Sequence, residues 1–126
     1  MTYWVERPRF NDGTGMMYFA VHAQQLIGLG GIIRANSPKT QHSATIVGMY
    51  VQPDWRGFRI AEGLVTACVE WAQSVNIKVV KLAVVKTNTC AIRCYARCGF
   101  QIYGVEPQAL YYDQVFYDEL LMARMT

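Results

Sequence analysis

No apolar run in this sequence is long enough to cross a bilayer, because Arg, Lys, Gln, His or Asp interrupts each one. The first seven residues (Met-Thr-Tyr-Trp-Val-Glu-Arg) lack the basic start and apolar stretch of a secretory signal, so a cytoplasmic protein with no membrane partner is expected. Charge is sparse: Asp, Glu, Lys and Arg make up 17% of the chain, with a net charge of +3. That balance suits an anionic ligand. It is too weak for nucleic acid, and no Lys/Arg run alternates with aromatics as a nucleic-acid groove requires. The Cys-x-x-Cys pairs of zinc sites are also missing. Cys90, Cys94 and Cys98 recur every four residues and Cys68 stands apart, which reads as small core hydrophobes with no metal. Repeats and low-complexity stretches are absent.

What remains is a globular profile. A chain of 126 residues, 52% hydrophobic, fits a single domain spanning 1–126 with a core that needs no metal or disulfide to hold it. Residues 16–22 (MMYFAVH) and 26–35 (LIGLGGIIRA) read as a hairpin turning at Gln24-Gln25, without the Asn-Gly or Asp-Gly signal. Residues 36–42 carry a proline and form a loop. Residues 43–52 (SATIVGMYVQ) form a third strand, in which Gly48 marks a bulge or the close approach of another backbone. Ile60, Leu64, Ala67, Cys68, Trp71 and Val75 then follow helical spacing, which predicts a helix over 58–74. Residues 79–85 (VVKLAVV) read as a buried strand. A second helix spans 89–98, stopped by Gly99. Strands over 100–103 and 114–124, joined by a loop containing Pro107, complete a β-β-β-α-β-α-β-β order. The fold class is α/β, with a mixed, mostly antiparallel central sheet.

Two segments carry chemistry. Residues 51–61 (VQPDWRGFRIA) join a strand to a helix through a glycine turn, where free backbone N–H groups meet the positive end of the helix and favour phosphate. Read alone, this is better explained by a plain turn with a surface arginine. Residues 88–100 (NTCAIRCYARCGF) place Asn88 as a helix cap and put Ala91, Tyr95 and Cys98 on one face. A phenol there can donate a proton if its tip reaches a crevice. Otherwise it is a core aromatic.

Together the two segments resemble the GNAT-type N-acetyltransferase family. Asn88, Ala91, Tyr95, Gly99 and Phe100 match the conserved helix of that family. Arg56, Gly57, Ile60 and Ala61 match its pyrophosphate loop, and the resemblance runs from about Tyr18 to the C-terminus. It implies the acyl-CoA N-acyltransferase arrangement of sheet and two helices, acetyl-CoA as co-substrate and an amine acceptor attacked directly in a ternary complex. By the same resemblance, Gly57, Phe58, Arg59, Ile60, Ala61 and Glu62 offer the pyrophosphate their amides. Met49 and Val51 hold the pantetheine arm, Asn88 contacts it, and Tyr95 protonates the leaving thiolate.

Three departures stand out. Arg59 occupies the loop's usual second-glycine position. No carboxylate lies on the strand over 43–52, where many members place a base, and Thr45 stands nearest; a water relay to His42 or Glu106 is one substitute. The chain is also shortened at its start, with Trp4 and Arg7 as the remnant of a helix. That shortening predicts a homodimer covering the exposed side. The alternative reading is a non-catalytic acyl-CoA-binding or interaction module.

Overall fold

The computed structural model describes the backbone of residues 4–6 and all of residues 13–126. A seven-stranded sheet has the order β1-β2-β3-β4-β5-β7-β6. Its strands are β1 (Trp4–Glu6), β2 (Gly15–His22), β3 (Gln25–Arg34), β4 (Ser43–Val51), β5 (Val79–Val85), β6 (Gln101–Tyr112) and β7 (Val115–Met125). All neighbours run antiparallel except β4 and β5. Helix α1 (Ile60–Ser74) follows β4, and α2 (Thr89–Arg97) follows β5.

Alternation along β2 sets the core face. Met16, Tyr18 and Ala20 are buried, while Met17, Phe19 and Val21 between them are half-buried. Helix α1 lays Ile60, Leu64, Val65, Cys68, Trp71 and Ala72 onto the core side. Tyr95 of α2 and Leu82, Val84 and Met122 of the sheet join the same cluster. Each large side chain buried this way contributes about 1.5–3 kcal/mol.

Several expectations are corrected. Trp4 lies in strand β1, paired with β2, and is no helix remnant; Arg7 lies outside the described residues. The first helix begins at Ile60, so Phe58 precedes it. Pro107 falls inside β6, not in a loop. There the ladder slips between Glu106 and Leu110, and Pro107 occupies an edge strand whose irregularity needs no N–H from it.

The β2–β3 turn centres on Ala23 and Gln24, at φ 49° and 66°. Two successive left-handed residues make a type I′ turn, which matches strand twist but suits Asn-Gly. Replacing the pair by Asn-Gly is therefore expected to raise stability by about 1 kcal/mol in a thermal melt.

Candidate active site

Strands β4 and β5 pair only over three positions, Ser43–Val79, Ala44–Val80 and Thr45–Lys81, and then diverge. The cause lies on the other edge of β4. Between the Leu29–Tyr50 and Gly31–Val47 pairs, Gly30 of β3 opposes both Gly48 and Met49 of β4. This is a β-bulge, and its extra residue, Gly48, sits at φ 66°. The bulge bends β4 away from β5 and leaves one edge of residues 46–51 without a strand partner among the described residues.

The split opens into a groove of about 1060 Å³. The divergent half of β4, including Met49 and Val51, forms one wall. Residues 82–85 of β5 and Asn88, Ala91 and Tyr95 form another. Arg56, Gly57, Arg59, Ile60, Ala61 and Glu62 close one end. Of the site residues expected from sequence, only Phe58 is not part of the lining; it is exposed and its ring lies 6.0 Å from that of Trp55.

Local chemistry explains the loop. Gly57 has φ 88°, and a Cβ there would meet nothing within 4 Å, so the backbone faces open space. Arg59 sits at φ 61°, in the left-handed region. That conformation explains why glycine suits the position, since any other residue bears about 1–2 kcal/mol of strain there. As the N-cap of α1, Arg59 makes no side-chain capping bond, so the first amides of the helix keep the free N–H groups that bind anions. Arg59 instead pairs with Glu62 at 3.3 Å, and Arg97 of α2 donates to the same carboxylate. The hydrogen bond from Arg97 holds the Glu62 carboxyl below its ordinary range. Arg56 donates to the Val51 carbonyl at 3.0 Å and lies over the Tyr50 ring, pinning the turn to β4.

Helix α2 positions Tyr95 from both ends. The Asn88 side chain accepts from the Ala91 N–H at 3.2 Å, capping the start. At the far end the Gly99 N–H bonds the Ala96 carbonyl and the Phe100 N–H bonds the Tyr95 carbonyl, each at 3.0 Å. This is a Schellman closure around Gly99 at φ 90°, and its apolar contact is the Tyr95–Phe100 edge pair, with centroids 6.3 Å apart. The Asn-x-x-Ala-x-x-x-Tyr-x-x-x-Gly-Phe spacing is thus a cap, a helix and a stop that hold one phenol. Tyr95 is 8% exposed, and burial pushes its hydroxyl up to about 12. Among the described residues the buried side-chain polar atoms without partners are Arg34 Nε and Trp71 Nε1, so the phenol oxygen is not a sealed orphan.

Five charged or thiol-bearing groove residues escaped sequence reasoning: Cys90, Arg93, Cys94, Arg97 and Glu119. The first four follow from the helical period of α2: Arg93 and Cys94 lie three and four residues after Cys90, and Arg97 lies four and three residues after them. Cys94 is buried, and its hydrogen bond to Cys98, with burial second, raises its thiol, which is then no thiolate nucleophile at neutral pH. Cys68 is buried as a core residue, whereas Cys90 is exposed. His42 is exposed and His42, Thr45 and Glu106 are not part of the lining.

The fold has close counterparts. It is similar to the acetyltransferase of the GNAT family from Streptococcus pneumoniae, at TM-score 0.85 and 20% identity over 91% of this chain and 69% of that one. Ribosomal-protein-alanine N-acetyltransferase from Brucella melitensis superimposes at TM-score 0.82 and 20% identity, over 89% and 69% of the two chains. YncA from Salmonella typhimurium, whose structure contains its cofactor acetyl-CoA, gives TM-score 0.82 and 16% identity over 90% and 65%. No curated protein sequence matches the chain. The family model described as "Acetyltransferase (GNAT) family" matches residues 1–100, a span that holds the bulged strand, the loop and both helices. The chain belongs to the GNAT acetyltransferase family.

Proposed function

We propose that this protein is an N-acetyltransferase that passes the acetyl group of acetyl-CoA to a primary amine, of a small molecule or a protein, by direct attack in a ternary complex. The observation that carries this reading is the single groove joining the amide-rich turn at residues 56–62 to the Tyr95 phenol through the split between β4 and β5.

The residues present fit acetyl-CoA. The free amides at the start of α1 suit its diphosphate, each charge-assisted bond being worth roughly 1.5–3 kcal/mol. The unpaired edge of β4 at Met49 and Val51 suits the amide-bearing pantetheine arm, which lies against it like an added strand. An amide on that edge also faces the thioester oxygen as charge develops there. Asn88 keeps its side-chain oxygen on the Ala91 N–H and leaves its amide NH₂ for the arm.

Tyr95 supplies the proton for the departing thiolate. Its raised value keeps it protonated, the state an acid needs, throughout the physiological range. The sign of the pH dependence follows. Ionisation of Tyr95 abolishes the acid only as pH rises toward about 12, so kcat is expected to show no alkaline fall up to roughly pH 10.5. A descending limb with a midpoint of 10 or below, in a stopped assay of CoA release, contradicts a buried phenol in this role.

A non-catalytic acyl-CoA-binding module is the second reading. It is favoured by strand β4, which offers no carboxylate at the place where a base is common. Calorimetric titration with acetyl-CoA tests the binding common to both readings. Steady release of CoA in the presence of a panel of amines separates them: turnover supports the enzyme, and binding without turnover supports the module.

A further inference from the structure

The groove is electrically lopsided. Arg56, Arg59, Arg93 and Arg97 line it, against two carboxylates, Glu62 and Glu119. Glu62 is committed to two arginines. Glu119 has no ion-pair partner among the described residues. It is half-buried on β7, beside Val85 on one flank and directly opposite Glu106 on the other. Two carboxylates facing each other across a ladder repel and are relieved by a cation between or beside them.

Alternation fixes where Glu119 points. Its chain neighbour Leu120 packs against the core cluster and Met122 is buried in it, so Glu119 projects to the opposite face of the sheet. Both helices share the core on the other side. Glu119 therefore lines the groove from the sheet face opposite α1 and α2, on a different element from the turn suited to the diphosphate. A carboxylate retained in a groove, half out of water and unneutralised, costs solvation that a bound ammonium returns.

We infer that Glu119 is the specificity-determining residue for the acceptor, holding the charged end of an aliphatic diamine whose other amine is acetylated. This rests on the acetyl-transfer reading above. It adds the acceptor's chemical class and the residue that selects it.

The test uses two probes of matched length, 1,4-diaminobutane and 4-aminobutanoate, titrated calorimetrically into the full-length protein saturated with CoA. The diamine is expected to bind at least tenfold more tightly than the amino acid. In Glu119→Gln that preference shrinks by about 10–100-fold while CoA affinity stays within twofold. Glu119→Asp, which keeps the charge, retains part of the preference, an outcome that loss of packing alone does not produce. Undiminished discrimination in Glu119→Gln, or none in the parent protein, overturns the assignment. Turnover with the same diamine keeps the two claims apart. Glu119-dependent binding without CoA release overturns the acetyl-transfer reading, and with it the acceptor's acetylation, but leaves Glu119 as the residue that holds the diamine. Diamine acetylation with an unchanged KM in Glu119→Gln overturns only the role of Glu119.

Discussion

Replacing Tyr95 by Phe is expected to lower kcat by about 10²–10⁴-fold while leaving the affinity for acetyl-CoA within about twofold. The split follows from geometry. The ring is one of the core residues packed beneath the sheet, and its edge contact with Phe100 is apolar, so Phe preserves the packing. Only the hydroxyl, which serves the leaving thiolate in this account, is removed. The matching control is thermal stability: a variant that melts with the parent and binds acetyl-CoA normally has lost a proton donor and nothing else. Unchanged kcat in such a variant removes Tyr95 from the chemistry.

Gly57→Val should act at the other end of the groove and in the opposite way. Its φ of 88° costs any β-branched residue about 1–3 kcal/mol, so the turn must rearrange. Among the described residues nothing lies within 4 Å of a Cβ built on Gly57, and in the proposed binding mode a phosphate approaches the backbone through this space, which Val fills. Losing one or two charge-assisted amide bonds of roughly 1.5–3 kcal/mol each weakens acetyl-CoA binding by about 10²-fold or more. The variant is expected to show this in calorimetry, with kcat at saturating acetyl-CoA changed far less. Equal affinity for acetyl-CoA in Gly57→Val would mean that the diphosphate does not lie on this turn.

Much of the fold was legible because local signals agreed with the tertiary result. The residue run 79–85 is β-branched and apolar and forms β5 with those same ends. The stripe of Leu64, Cys68 and Trp71 predicts the face that α1 buries. Gly48 signalled the bulge that turns out to split the sheet. Other features had no local signal. Strand β1 is three residues long, too short for an alternation to register. Proline argues against a strand, yet Pro107 sits in β6, because an edge strand with a slipped ladder needs no donor there. The turn at Ala23-Gln24 lacks the glycine that type I′ geometry favours.

The site divides along the same line. The loop and helix residues that line the groove could be named from sequence because each is part of a contiguous spacing pattern. The Glu62–Arg97 ion pair joins residues 35 apart in sequence through the packing of α1 against α2, which no spacing encodes. Glu119 reaches the groove only through the register of β7 on β5, where Val85 is its partner. Arg59 stands where the loop usually has its second glycine, and sequence alone does not say what backbone it adopts there. Its left-handed backbone shows the residue adopting the glycine conformation at a cost, with its guanidinium turned to Glu62.

The most direct measurement is a crystal structure of the protein soaked with acetyl-CoA. The account predicts continuous density along the open edge of β4, with the diphosphate on the amides of residues 57–62 and the sulfur within hydrogen-bonding distance of the Tyr95 oxygen. Acetyl-CoA bound elsewhere, or β4 and β5 zipped together beyond Thr45 with the phenol sealed behind them, contradicts it.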